Sequence, residues 1–312
     1  MTLLSRLTPY RYSITSSPED PRLGQLIGGL DQLDAADIII FGIPTDEGIR
    51  RNGGRIGASQ APDKIREYLA KLTPFAGPGH KRQLDELRIV DLGNVPTGEL
   101  EDMHELARTI TSELIDRGKF VIALGGGHDV SYPLVKGYAL SRPSPSLINI
   151  DAHLDVRPKK EGKHHSGSSF RLLIEEGHIE GSQFTEFGIQ PHAAAREHYE
   201  WLIAQSSQVR FFHELDDASR EFSSWLDAQG ESCYVTFDID AIAAADAPGI
   251  SAPAPTGFTA AQALELCYEA GNSSKVGMID LVEVSPPHDI DDRTSRLVAR
   301  MIANVIQGFG DR

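Results

Sequence analysis

Eight short apolar runs, separated by longer amphipathic segments from about residue 36 onward, limit the architectures open to this 312-residue chain. They read "ADIIIFGIP" (36–44), "LRIVDLG" (87–93), "FVIALGG" (120–126), "SLINIDA" (146–152), "FTEFGIQ" (184–190), "VRFFHE" (209–214), "SCYVTFDID" (232–240) and "VGMIDLVEV" (276–284). Several are apolar at consecutive positions, as suits strands covered on both faces. Helical patterns lie between them, at 104–118, 259–270 and 293–306. The last carries Leu297, Met301, Ile302 and Val305 on one stripe and is expected to dock on the sheet, and Thr259 is a good N-cap for its helix. The rhythm predicts a mainly parallel sheet with helices on both faces. A closed eight-stranded barrel obeys the same rhythm, so pattern alone leaves both architectures open. No Pro/Ser-rich linker or internal repeat divides the chain, and residues 1–312 are expected to form one domain with its core at about 36–308. The Gly-rich tract at 53–57 and "DAPGISAPAPTG" (246–257) read as loops long enough to be functional.

Strand interiors select against carboxylates, yet acidic and imidazole groups gather where these runs end. "LGGGHD" (124–129) puts His128 at the tip of one strand. "NIDAHLD" (149–155) places Asp151, His153 and Asp155 on one face if its strand continues through them, and "FDID" (237–240) does the same for Asp238 and Asp240. Glu283 ends the run "MIDLVEV". In open α/β sheets, ligands bind beyond the carboxyl ends of the strands. "GGGHD" alone also suits a phosphate-cradling turn or a helix start, and each carboxylate group alone suits a solvated strand end or a salt bridge. Jointly, two histidines and four carboxylates on three strand ends need cations to offset their burial. An oxygen-rich site with some imidazole suits Mn²⁺ or another first-row divalent ion better than structural zinc. Six ligands exceed what one open catalytic ion takes, whereas two ions sharing carboxylates fit the count. Such a pair acidifies a water for hydrolysis.

Composition narrows the partners. The formal charge of −15 disfavours nucleic acid and anionic membranes. No GK[ST] or GxGxxG follows a strand, which weakens a nucleotide-binding reading of the glycine tract. Cys233 and Cys267 show neither CxxC spacing nor a disulfide framework and read as buried thiols. The start lacks a signal-peptide apolar core, and no run approaches the roughly 20 apolar residues of a membrane helix. A soluble, cytoplasmic protein is expected.

In this order and spacing, "GGGHD", "DAHLD", "FDID" and "EVSP" resemble the ureohydrolase family of arginases, agmatinases, guanidinobutyrases and formimidoylglutamases. The similarity runs from "GIPTDEGIRRNGGR" (42–55) to the last helix. It implies an α/β fold, a three-layer α/β/α sandwich on a mainly parallel eight-stranded sheet, holding two Mn²⁺. By the resemblance, His128, Asp151, Asp155 and Asp238 hold one ion, and Asp151, His153, Asp238 and Asp240 the other, with Asp151 and Asp238 bridging. Glu283 matches the glutamate that pairs with the substrate amidinium. Several features look most like formimidoylglutamase: "DEGIRRNGGRIGA" (46–58), Gly127 where arginases and agmatinases usually carry Asp, "APGISAP" (247–253) and "DIDDRTSRLVARM" (289–301). In "HHSGSSFR" (164–171) Ser166 stands where those enzymes place a histidine before the glycine, so His164 or His165 becomes the candidate proton carrier, with His165 the first choice. The implied reaction is hydrolysis of N-formimidoyl-L-glutamate, a small amidine, to L-glutamate and formamide. Arg55, Arg157 and Arg171 are candidates to grip its carboxylates, with Ser166 beside them. Agmatinase, guanidinobutyrase or another amidine hydrolase is the nearest alternative, and a catalytically silent binding or assembly subunit a more distant one. The resemblance also implies a homo-oligomer, a trimer or hexamer.

Overall fold

The computed structural model describes residues 3–312. Its strands are β1 (Ile38–Gly42), β2 (Ile89–Asn94), β3 (Phe120–Leu124), β4 (Ser146–Ile150), β5 (Phe184–Ile189), β6 (Gln208–Phe211), β7 (Cys233–Asp238) and β8 (Val276–Val282). Its helices are α1 (Leu23–Leu26), α2 (Glu47–Asn52), α3 (Ala61–Leu69), α4 (Leu100–Asp116), α5 (Ser131–Ser141), α6 (Ser169–Glu175), α7 (Arg196–Ala204), α8 (Ala218–Ala228), α9 (Ala260–Asn272) and α10 (Arg293–Asp311). Each of the eight apolar runs overlaps one strand, with β2 running one residue past its run and β6 starting one residue before, and the three helical patterns fall on α4, α9 and α10. The Thr259 hydroxyl caps α9 by accepting from the Gln262 N–H at 3.2 Å.

All seven strand pairings are parallel, in the order β2-β1-β3-β8-β7-β4-β5-β6. The sheet is open, with β2 and β6 at its edges, which decides against the barrel. Alternation along each strand feeds two cores. Ile38 and Ile40 of β1, Ile148 and Ile150 of β4, and Val235 and Phe237 of β7 point to one side, under α3, α8, α9 and α10. Ile39, Phe41, Leu147 and Tyr234 point to the other, under α4, α5, α6 and α7. This is a three-layer α/β/α sandwich. In α10, Met301, Ile302 and Val305 are fully buried and Leu297 partly so, and the helix lies against α9 and α3. Both cysteines are free and buried.

Strand order positions the site. After β3 the chain builds β4, β5 and β6 outward on one side, then returns to insert β7 and β8 between β3 and β4. Strand ends separated by up to about 155 residues therefore become four neighbours, β3-β8-β7-β4.

At the β2 edge, Arg66 of α3 is fully buried and clasps Asp91 with two bonds, Nε to Oδ2 at 2.7 Å and Nη2 to Oδ1 at 3.0 Å. Tyr12 adds an O–H donor to Asp91 at 2.5 Å. Removing one partner of a buried pair strands the other charge. Arg66→Ala is therefore expected to lower the unfolding free energy by about 3–5 kcal/mol, read from urea melts.

Candidate metal centre

The carboxyl ends of the four central strands carry the site. Beyond β3 the chain enters a short helical turn, His128–Val130. The imidazole of His128 is fully buried, and its Nδ1 lies 3.0 Å from Asp155 Oδ2, 3.0 Å from Asp238 Oδ2 and 3.3 Å from Asp151 Oδ2. The tautomer follows from the other ring nitrogen. The Thr236 hydroxyl donates to Asp280 Oδ1 at 2.6 Å, so it turns a lone pair to His128 Nε2 at 3.0 Å and takes the N–H there. Nδ1 is then a bare lone pair facing three carboxylate oxygens, and it has no hydrogen-bond partner. Four electron-rich atoms so arranged repel one another unless a cation sits among them. The protein registers the same demand through protons. Burial pushes the His128 imidazole towards neutrality, but Asp151, Asp155 and Asp238 overcome it and raise the group well above its ordinary value. Burial, with Asp240 and Asp151 adding repulsion, drives the Asp238 carboxyl well up.

A second set adjoins the first. His153 Nδ1 lies 2.9 Å from Asp240 Oδ2 and 3.5 Å from Asp151 Oδ1. Asp151 thus turns Oδ2 to the first set and Oδ1 to the second, the arrangement of a bridging carboxylate. Asp238, expected from the resemblance to bridge as well, stands with the first set alone, since its Oδ1 accepts the Asp240 N–H at 2.8 Å. The Asp240 carboxylate raises the His153 imidazole well above its usual value, and burial pushes Asp240 itself up to about 6. The donor set, two imidazole nitrogens and four carboxylates in two overlapping groups, fits a pair of divalent ions.

Local geometry differs from simple strand alternation. β4 stops at Ile150, and residues 151–155 form a turn in which the Asp151 carboxylate accepts the His153 N–H at 2.7 Å and Asp155 takes a positive φ of 42°. β7 stops at Asp238, whose carboxylate accepts the N–H of Asp240. Both clusters are assembled by an Asp capping the backbone two residues on, which re-aims side chains that a continued strand would leave on one face.

Supporting groups come from inside the strands. Asp280, fully buried on β8, accepts from Thr236 and from the Tyr234 hydroxyl at 2.6 Å. Asn149 Nδ2 donates to Asp151 Oδ2 at 3.1 Å and to the buried Glu186 Oε2 at 2.8 Å. Burial and the nearby Asp151 keep the Glu186 carboxyl well above its ordinary range. The readable signal for these residues is a lone polar group within an apolar central strand, as in "CYVTFD" and "GMIDLV".

The remaining candidates separate. Glu283 follows β8 at a φ of +69°, a left-handed conformation costly for a residue with a Cβ. Its Oε1 accepts the His128 N–H at 2.8 Å, and burial pushes its carboxyl up to about 8. Ser166 is buried and its hydroxyl accepts from Asn52 Nδ2 at 3.1 Å. Arg157 Nη1 reaches the Asn52 Oδ1 at 3.1 Å, so it lies beside the same segment with most of its donors uncommitted. Three readings from sequence change here. His165 has Nε2 on the Pro158 carbonyl at 3.1 Å and Nδ1 accepting from the Gly167 N–H at 3.2 Å, and a ring held by backbone at both nitrogens serves as a brace. Arg171 pairs with Glu175 one turn along α6 and stacks on Trp201, 4.7 Å from the ring centroid. Arg55 spends Nε and Nη2 on the carbonyls of Ser251 and Ile250, fastening the 246–257 loop.

The model of the arginase family matches residues 36–307. The chain belongs to the arginase family. It is 32% identical to the formimidoylglutamase of Rhodococcus opacus (strain B4) over 293 residues, 88% of this chain and 87% of that relative. It is 34% identical to the formimidoylglutamase of Salmonella heidelberg (strain SL476) over 272 residues, 85% of this chain and 83% of the relative. Among solved structures it is similar to Trypanosoma cruzi formiminoglutamase with Mn²⁺, with a TM-score of 0.88 at 32% identity over 94% of this chain and 99% of that one. Formimidoylglutamase from Bacillus subtilis shares the fold at 22% identity and a TM-score of 0.88.

In this arginase-family site, Thr236→Val removes the acceptor that holds the His128 tautomer. Partners of this kind typically carry 10–100-fold in metal affinity. Calorimetric titration of the metal-free protein with a divalent cation is expected to show a weakening of about that size, with the fold unchanged by circular dichroism.

Proposed function

We propose that the protein is a dinuclear metal hydrolase that cleaves N-formimidoyl-L-glutamate to L-glutamate and formamide. The observation that carries the hydrolase reading is the bare His128 Nδ1 among three carboxylate oxygens at 3.0–3.3 Å, joined through Asp151 to a second set. The choice of substrate is supported by relatives 32–34% identical over most of the chain that carry the name formimidoylglutamase. His128, Asp151, Asp155 and Asp238 would hold one ion, and Asp151, His153 and Asp240 the other, with manganese as the metal because a similar structure contains it. A divalent pair supplies an acidified water and neutralises charge that develops on the substrate.

The chain's own groups would do the rest. Glu283 is buried at the rim of the metal sets, its Oε1 anchored by the His128 N–H and Oε2 left for a cationic formimidoyl group through a charge-assisted bond. Arg157, with free donors beside Asn52 and Ser166, suits a substrate carboxylate. Since both nitrogens of His165 are bound to backbone, the leaving amine would take its proton from water. The resemblance extends the proposal to a cytoplasmic homo-oligomer, a trimer or hexamer, which light scattering on the purified protein tests.

The deciding experiment assays Mn²⁺-loaded protein on formimidoylglutamate, agmatine, guanidinobutyrate and arginine. Formamide from the first alone is expected, and urea from any guanidine would keep the metal site and overturn the substrate. Arg157→Ala is expected to raise KM for formimidoylglutamate about tenfold or more with a smaller change in kcat, the pattern of a group that binds ground and transition states alike. An unchanged KM would remove Arg157 from substrate recognition.

A further inference from the structure

Arg157 and Ser166 are joined by one side chain. Asn52, the last residue of α2, turns Oδ1 to Arg157 Nη1 and Nδ2 to Ser166 Oγ, each at 3.1 Å. Arg157 follows Asp155 of the first metal set by two residues. Ser166 opens the turn ahead of α6, whose Ser169 hydroxyl donates to the His128 carbonyl at 2.9 Å. Arg157 reaches solvent, whereas Ser166 is buried. The mount is stiff. Arg51 Nη1 donates to the His164 carbonyl at 3.2 Å, so α2 grips the 164–166 segment at two neighbouring points. The Arg157 N–H donates to the Gly167 carbonyl at 2.8 Å. A Cβ on Gly167 would crowd Arg157 Cδ and Asn52 Nδ2, both at 3.1 Å.

The polarity of these bonds runs one way. A guanidinium only donates, so the amide has to turn its oxygen to Arg157 and its N–H group to Ser166. Ser166 Oγ accepts there and makes no other bond, which frees its own hydrogen to donate elsewhere. Arg157 has this single side-chain bond and no carboxylate partner among the described residues, so its remaining N–H groups are free. The groups left open are therefore guanidinium donors and one hydroxyl hydrogen. Together they suit a carboxylate, and the guanidinium repels an ammonium end.

We infer that Asn52 is a positioning residue for substrate recognition, which makes Arg157 and the Ser166 hydroxyl a joint donor cradle for one substrate carboxylate. By fixing the direction of both bonds it selects a carboxylate-ended amidine over an amine-ended one. The carboxylate rests on the glutamate-type substrate proposed above, whereas the bond polarity follows from the side chains alone.

The test compares Mn²⁺-loaded wild type, N52D and N52A in KM and kcat for formimidoylglutamate, in calorimetric binding of L-glutamate and putrescine, and in Mn²⁺ affinity. The carboxylate introduced by N52D still accepts from Arg157, but it takes the Ser166 hydrogen as well and adds a repelling charge. N52D is therefore expected to raise KM and weaken L-glutamate about tenfold or more, at least as far as N52A does, the size of a lost charge-assisted hydrogen bond. The change in kcat is expected to be smaller and Mn²⁺ affinity to hold. A residue that only steadied Arg157 would be spared by N52D, so a wild-type KM in N52D overturns the inference, as does a loss confined to kcat and Mn²⁺ affinity. Should N52D fail to fold, N52A in an S166A background decides. Its KM cost is expected to shrink once the hydroxyl is gone, and full additivity overturns the inference. Wild type that binds L-glutamate but leaves formimidoylglutamate uncleaved would keep the cradle and overturn the amidine. Wild type that binds putrescine as tightly as L-glutamate would overturn the cradle whatever it cleaves.

Discussion

Three carboxylates aimed at one lone pair, in a largely buried pocket, is the constraint to which the rest of this structure answers. Asp151, Asp155 and Asp238 each bring an oxygen within 3.3 Å of His128 Nδ1. The ligand atoms of this set lie within 4.8 Å of one another, and like charges about 4 Å apart repel by about 4 kcal/mol at the effective dielectric of a protein site. A fold tolerates that only when it is rigid enough to hold the groups and when a cation completes the set. The parallel sheet supplies the rigidity, because all four contributing strands are interior and packed on both faces by fully buried residues. The cation is supplied from outside, so the arrangement reads as binding machinery and carries its cost in the metal-free state.

The support is layered. Asp280 holds Thr236, Thr236 sets the tautomer of His128, and the backbone N–H of His128 holds Glu283. One hydrogen-bonded line thus runs from inside β8, through β7, to the strand end that would meet substrate. Asn149 performs a similar task for Asp151, with Glu186 behind it. These partners fix orientation before any ion arrives. Preorganisation of that kind lets a site bind without first reorganising its ligands.

The strands were legible because full burial on both faces writes consecutive apolar residues. The ligand types were legible because carboxylates gathered at the ends of such strands need a cation to offset their burial. The turns were not. Alternation in "DAHLD" and "DID" suggested one face of a continuing strand, whereas each leading Asp bonds the backbone two residues on and ends the strand there. Local competition between a side chain and the ladder decides this, and residue type alone does not reveal its winner. The arginines and His165 were harder still. Arg55, Arg157 and Arg171 look alike in the sequence, but two are committed to carbonyls, a carboxylate and an indole ring, contacts that only the folded chain sets.

Sequence alone determined the α/β class, the eight strands, the family and the set of acidic and imidazole groups, because each is carried by local pattern or by motifs in fixed order. Tertiary structure decided the rest. Insertion of β7 and β8 between β3 and β4 makes neighbours of His128, Asp151, Asp238 and Glu283, and no periodicity in a linear chain encodes strand order. The open sheet rather than a barrel and the bridging aim of Asp151 both depend on that order or on the helix packing around it. Such contacts join residues distant in sequence, and their energies exist only once the chain has closed on itself.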